Sequence, residues 1–208
     1  MASGSAKRIA PVDVGIASFA ASEHEESGDL SVSYCMSDHA LIAAIDGIGH
    51  GKNAAAAART AAAVLESAAT DPLVSLLQKC HDALRNTRGV VLSVAFIDFS
   101  LCTLTWIGVG NVQGVVLRSS QSTSSTNSEL LLRPGVVGSQ LPLLQTATLA
   151  ISDGDVLAFA TDGIRGEFVE DVLSHSTPQR SADRILAKHC KGSDDALILV
   201  ARFSGRSK

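Results

Sequence analysis

The stretch Leu41-Ile42-Ala43-Ala44-Ile45-Asp46-Gly47-Ile48-Gly49-His50-Gly51, which runs on through Lys52 and Asn53 into the alanine-rich segment from Ala54, decides the fold. Leu41 to Ile45 is an unbroken apolar run, the pattern of a strand covered on both faces. Asp46 ends it. Glycines at 47, 49 and 51 are too dense for any regular element and read as a loop. Asn53 is a helix N-cap candidate, and Ala54 to Ala69 has strong helix propensity. A buried strand, an acidic glycine loop and a helix together fix a carboxylate at the tip of a rigid element.

Two more places repeat that context. Asp162 follows the apolar strand Val156 to Ala160, and Asp194-Asp195 precedes the apolar strand Leu197 to Phe203. A charge at the rim of a core is costly unless it is paired or metal-bound. Taken singly, Asp46-Gly47 or Asp162-Gly163 reads as a turn, Asp194-Asp195 as a cap or solvated turn, and Asp29 after Gly28 as a turn residue. The set is more informative. Acids at the ends of apolar strands far apart in sequence can be gathered by one sheet edge. The ligand pool is carboxylate and carbonyl oxygen, which selects Mg2+ or Mn2+ over Zn2+ or Cu2+. Two such ions ~3.5–4 Å apart can activate a water for in-line attack on phosphorus.

Outward from these points, Val12 to Phe19 and Val32 to Tyr34 read as strands, and Glu23 to Asp29 as a charged turn. Asp71-Pro72 opens a second helix to about Asn86, with Pro72 at its first position and Leu73, Leu76, Leu77, Cys80 and Leu84 at helical spacing. The two helices should pack side by side. Val90 to Ile97, Leu101 to Val109 and Val112 to Arg118 suggest an antiparallel meander with a turn at Gly110-Asn111. Ser119 to Ser128 reads as an exposed loop. Glu129 to Arg133 and Thr146 to Ile151 read as short strands, Glu167 to Ser174 and Pro178 to Cys190 as helices. Trp106 is assigned to the core. The order of elements points to an α+β layered fold, with antiparallel sheets and paired helices, rather than βαβ alternation.

Composition narrows the function classes. With 208 residues, 46% hydrophobic and 18% charged, the chain can bury one sizeable core, expected as a single domain over 1–208 with its core at about 12–203. A net charge of -4 gives no electrostatic reason for a nucleic-acid or membrane partner. Met1 to Ala10 does not resemble a secretory signal, and the apolar runs are far short of the ~20 residues of a membrane span. Cys35, Cys80, Cys102 and Cys190 are scattered and read as buried thiols in a reducing cytoplasm.

The blocks in order resemble those of the PPM family of metal-dependent protein phosphatases, in its bacterial sporulation and stress-response branch. The blocks are Ser27-Gly28-Asp29, Ala44 to Gly51, Gly108-Val109-Gly110-Asn111, Phe159-Ala160-Thr161-Asp162-Gly163 and Asp194-Asp195-Ala196-Leu197. The resemblance implies a β-sandwich of two antiparallel sheets flanked by helices, and serine/threonine phosphatase activity at a two-metal centre, Mn2+ or Mg2+. It implies that Asp46 bridges both ions, that Gly47 lends its carbonyl to one, that Asp162 and Asp194 hold the other, and that Asp29 acts partly through metal-bound water. Asp194 is preferred over Asp195 as the ligand, because the first acid of that block is the usual one. The chain departs from larger relatives in two ways. No arginine precedes Asp29 to take substrate phosphate, and the short span from Asn111 to Asp162 argues for a reduced flap. A bare catalytic domain of this size resembles the stressosome feedback type, which implies a phosphorylated STAS-domain scaffold protein as substrate.

His50 could act as a general acid or simply orient its loop, and Lys52 could meet phosphate or remain solvated. Two other classes account for part of the pattern. A nucleotide-binding βα unit fits the strand, loop and helix, but Gly47, Gly49 and Gly51 do not space as G-x-G-x-x-G, and Asp46 would repel phosphates. A non-catalytic phosphoprotein-binding scaffold has no need for the full set of acids.

Overall fold

The computed structural model describes residues 11–21, 26–119, 126–172 and 177–204. Eleven strands and four α-helices follow one another as β1 (Val12–Phe19), β2 (Asp29–Cys35), β3 (His39–Gly47), α1 (Gly51–Ser67), α2 (Leu73–Leu84), β4 (Val90–Asp98), β5 (Thr103–Val109), β6 (Gln113–Leu117), β7 (Ser128–Glu129), β8 (Leu132–Arg133), β9 (Ala147–Ala150), β10 (Val156–Ala160), α3 (Val169–Val172), α4 (Pro178–His189) and β11 (Ala196–Phe203). One sheet has the order β1-β11-β10-β6-β7, the other β2-β3-β4-β5-β8, with β9 on β5. All pairings are antiparallel except the short β5–β8 ladder.

The layering follows from β3. Because side chains alternate along a strand, Leu41, Ala43 and Ile45 pack with Ala57, Ala58, Ala61 and Leu65 of α1, while Ala40, Ile42 and Ala44 enter the space between the sheets. There they meet Trp106, Leu157, Phe159, Leu197 and Leu199. A third layer packs Phe168 and α4 residues Ala182 and Ile185 on the outer face of β10 and β11. The result is helices, sheet, sheet, helices, as the α+β reading anticipates. Trp106 is buried. Alanine on α1 lets the helix come close: a Cβ on Gly47 would lie 2.2 Å from the Ala54 carbonyl oxygen.

Several local expectations need correction. Helix α1 is capped at His50, not Asn53, and Pro72 stands at the N-cap of α2 rather than inside it. The meander breaks after β5. Gly110, at φ +96°, and Asn111 do not close a hairpin; they carry the chain across to the other sheet, where β6 pairs with β10. The crossing backbone is satisfied inside the core, where the buried Ser93 hydroxyl donates to the Val112 carbonyl at 2.6 Å. Glu129 to Arg133 is likewise two strand fragments, β7 on β6 and β8 on β5. Only Cys80 of the four cysteines is buried; Cys35 and Cys102 are exposed, and all four are free thiols. The charged turn at 23–25, the polar loop at 120–125, the end of the helix expected at 167–174 and the segment before residue 11 lie outside the described residues. Among the described residues no helix is long and apolar enough to cross a membrane.

The segment between β8 and β9 is pinned down rather than free to cover the cleft. Val90 and Val137 exchange backbone hydrogen bonds at 2.9 Å, Gly138 N–H donates to His81 Nδ1 at 3.0 Å, and Val137, Leu141 and Leu144 pack under α2.

Candidate active site

The register of both sheets brings the acidic strand ends to one end of the sandwich. Asp29 opens β2 and faces Asp46 directly across the β2–β3 ladder. Asp46 faces Val91 at the start of β4. In the other sheet, β10 ends and β11 begins side by side, with Ala160 opposite Ile198, so Asp162 and Asp194 emerge at that same end. Between them lies a cleft of about 440 Å³ lined by Asp29, Asp46, Asp162, Asp194, Asp195, His50 and Asn111, with Gly49, Ile48, Val91, Gly110 and Pro134. All four aspartates singled out in the sequence therefore share one cavity. Gly47 and Lys52 are not among the lining residues.

Of the two acids on β2 and β3, Asp29 is buried and Asp46 half-buried. Burial pushes the Asp29 carboxyl up to about 7, opposed by the hydrogen bond from Thr161 and reinforced by Asp195, Asp162 and Asp194. Burial first, and then the charges of Asp29, Asp162, Asp194 and Asp195, push Asp46 up to about 8. Asp162 and Asp194 are exposed. None of the ion pairs among the described residues involves any of these four acids. An oxygen-only donor set with net negative charge and no cationic side chain paired to it suits hard divalent cations. Among the described residues, no three acidic, histidine or cysteine side chains already converge as a metal-holding group.

Supporting residues hold the acids in place. The buried Thr161 hydroxyl donates to Asp29 Oδ2 at 2.6 Å and accepts from Leu197 N–H at 2.8 Å, linking the two sheets through one side chain. Asn111 Nδ2 donates to Asp162 Oδ2 at 2.9 Å, and Lys191 Nζ donates to the Asp162 carbonyl. Asp195 is engaged elsewhere: its two oxygens accept from Ala21 N–H at 2.9 Å and Gly28 N–H at 2.6 Å, the latter next to Asp29. Among the described residues Asp194 makes a local hydrogen bond, accepting from Asp195 N–H. This division separates the two adjacent acids, which the sequence could not do by spacing. Asn111 and Thr161 stood inside recognisable blocks without a role. Lys191 carried no signal in the sequence at all.

Comparison with known proteins gives a consistent picture. Residues 37–204 match the family described as Stage II sporulation protein E (SpoIIE). The chain is 28% identical over 149 residues to phosphoserine phosphatase RsbX of Bacillus subtilis (strain 168), covering 71% of each chain. A solved structure from the bacterial stressosome, described as a modular system adapted to control secondary messenger signalling, superposes with TM-score 0.85 at 29% identity, over 92% of this chain and 99% of the other. RsbX in complex with magnesium superposes with TM-score 0.82 at 20% identity, over 93% and 96%.

Proposed function

We propose, on the premise that this chain belongs to the SpoIIE family and is a serine/threonine phosphoprotein phosphatase, that it hydrolyses its substrate with two divalent cations held in the aspartate cleft. The observation that carries this is the meeting of Asp29 and Asp46 from one sheet with Asp162 and Asp194 from the other. In this reading Asp46 and the Gly47 carbonyl, Asp29, Asp162 and Asp194 are the ligands. Bound there, Mn2+ or Mg2+ would supply Lewis acidity, acidifying a water and screening the phosphoryl charge.

The chain's own residues do the rest. Asp29 and Asp46 give up their protons when the cations load, so loading releases protons to solvent. Thr161 fixes the plane of the Asp29 carboxylate, and Asn111 fixes that of Asp162. The bond formed is water oxygen to phosphorus and the bond broken is phosphorus to the serine or threonine Oγ. The departing Oγ ends with a proton that comes, in net terms, from the attacking water, and inorganic phosphate is the second product. The open cleft, with the chain beyond Pro134 anchored at Val137 and Gly138, suits a phosphorylated side chain on a folded protein. The stressosome origin of one structural relative and the RsbX likeness support a phosphorylated STAS-domain scaffold, met in the cytoplasm, as that partner.

The test is hydrolysis of p-nitrophenyl phosphate and of a purified phospho-STAS protein after chelation, with Mn2+ or Mg2+ then restored. Turnover should vanish on chelation, return with the cation, and resist thiol-directed inhibitors. Turnover in fully demetallated protein would overturn the two-cation reading. ATP hydrolysis with no phosphate released from the phosphoprotein would overturn the substrate assignment.

A further inference from the structure

Resting on the phosphatase reading above, we propose that Arg88, in the turn between α2 and β4, is the residue that binds the substrate's phosphate at the rim of the cleft. The guanidinium lies against Gly49, a residue of the cleft wall. A Cβ built on Gly49 would stand 2.4 Å from Arg88 Nη1, 3.6 Å from Cζ and 3.7 Å from Cδ. Gly49 also has φ +93°, a conformation that disfavours any side chain. The bare backbone of the D-G-I-G loop thus makes room for an arginine from another element.

The position is built on both sides. Thr87 Oγ1 donates to the Leu84 carbonyl at 2.8 Å and accepts from Gly89 N–H at 3.0 Å. Gly89 takes φ +81°, where its carbonyl accepts from Ile48 N–H at 3.1 Å. Arg88 is therefore held between two fixed neighbours, one of them hydrogen-bonded to the cleft loop itself.

Its donors are uncommitted. No hydrogen bond or ion pair among the described residues uses the Arg88 side chain. By contrast Arg59 is taken by Glu26, Arg118 by Asp155, Arg133 by Gln145, and Lys191 by the Asp162 carbonyl. Nor does Arg88 pair with any aspartate of the cleft, so it does not serve to neutralise the cation site. Arg88 is not itself among the residues lining the cleft, but its exposed guanidinium lies against the lining residue Gly49 with its donors unused, and it matches a phosphate dianion in charge and in fork geometry.

The experiment compares wild type, Arg88→Ala and Arg88→Lys, each loaded with Mg2+. It reads KM and kcat for p-nitrophenyl phosphate, inhibition by inorganic phosphate, and phosphate binding by calorimetry. Arg88→Ala should raise KM and the phosphate inhibition constant together by about tenfold or more, with kcat changed by less. Lysine should restore part of the affinity. Melting temperature and its rise on adding Mg2+ should match wild type, since the exposed Arg88 side chain makes no hydrogen bond or ion pair among the described residues. Unchanged phosphate affinity in Arg88→Ala overturns the proposal. So does a rise in KM confined to a phosphoprotein substrate, which would make Arg88 a contact to the protein partner. If wild type hydrolyses nothing, the phosphatase reading fails; the calorimetric comparison still decides on Arg88.

Discussion

At the scale of single residues, the site is governed by two carboxyls held where water is scarce. Asp29 and Asp46 face each other across a ladder and keep their protons to about pH 7 and 8, against an ordinary 3.8. The sign of the resulting pH dependence is fixed. In the metal-free protein the folded state binds more protons than the unfolded state between about pH 4 and 8. The contribution of these two groups to stability is complete below about pH 4 and is lost as pH rises through 7 and 8. Melting in EDTA should therefore fall by several degrees from pH 5.5 to 8.5. Asp46→Asn, which removes one of the two titrating groups, should flatten that fall. With Mn2+ present the order should reverse, because the ion needs both acids deprotonated. A melting temperature in EDTA that does not change over this range, in both proteins, would show that the two acids are not perturbed in this way. Asp46 and Asp162 were legible as candidates from their place after apolar strands. The tying role of Asp195 was not, because it depends on backbone N–H groups of Ala21 and Gly28, far away in sequence.

At the scale of elements, the contact of α1 with β3 sets the position of Asp46. Gly47 is the last residue of β3, and its missing side chain is replaced by the Ala54 carbonyl, only 2.2 Å from where a Cβ would be. From the sequence, a glycine after Asp46 lets either a backbone carbonyl or an ion approach closely, and the carbonyl is what the fold supplies. The fold gives it a packing reason that holds whether or not an ion is present. Gly47→Ala must push α1 away from the sheet at the start of the helix, next to His50 and the cleft loop. A clash with backbone cannot be relieved by a rotamer change, so a cost of about 1–3 kcal/mol is expected. That is a drop of roughly 2–12 °C in melting temperature for a chain of this size. Turnover should fall by more than the lost folded fraction explains, because Asp46 shifts with its strand. Wild-type melting and turnover in Gly47→Ala would show that the helix yields freely there. The elements themselves were largely readable from apolar runs and helical spacing. Where the chain changes sheet, at Gly110-Asn111 and again between β7 and β8, it was not. A hairpin turn and a crossover use the same glycine chemistry and differ only in what lies opposite.

At the scale of the whole molecule, the two ends of the sandwich carry charge of opposite purpose. The end away from the cleft holds a closed pair: Arg118 Nη1 meets Asp155 Oδ2 at 2.9 Å, with both side chains buried. Nothing in the Ser152-Asp153-Gly154-Asp155 turn announced this, since the partner lies 37 residues away. Removing one member leaves the other buried and unpaired, which costs about 3–5 kcal/mol. Asp155→Ala should thus melt about 10 °C lower, yet keep the full stabilisation by Mn2+ and near-normal turnover at low temperature. Loss of the Mn2+ response in that variant would mean the two ends are coupled. The cleft end is the reverse, an open group of like charges, and there a deletion should behave oppositely. At an effective dielectric near 20, two charges ~5 Å apart repel by roughly 3 kcal/mol. Asp162→Ala removes one of the repelling acids, so the metal-free variant should fold and melt as high as metal-free wild type or higher. Wild type should gain about 2.7 kcal/mol from a cation at ~100 times its dissociation constant, or roughly 5–10 °C. The variant should lose most of that gain together with its activity. Melts of both proteins in EDTA and in Mn2+ measure all four states. If Asp162→Ala keeps the full Mn2+ shift and normal turnover, Asp162 is not a ligand, and the cations are held by the other acids of the cleft.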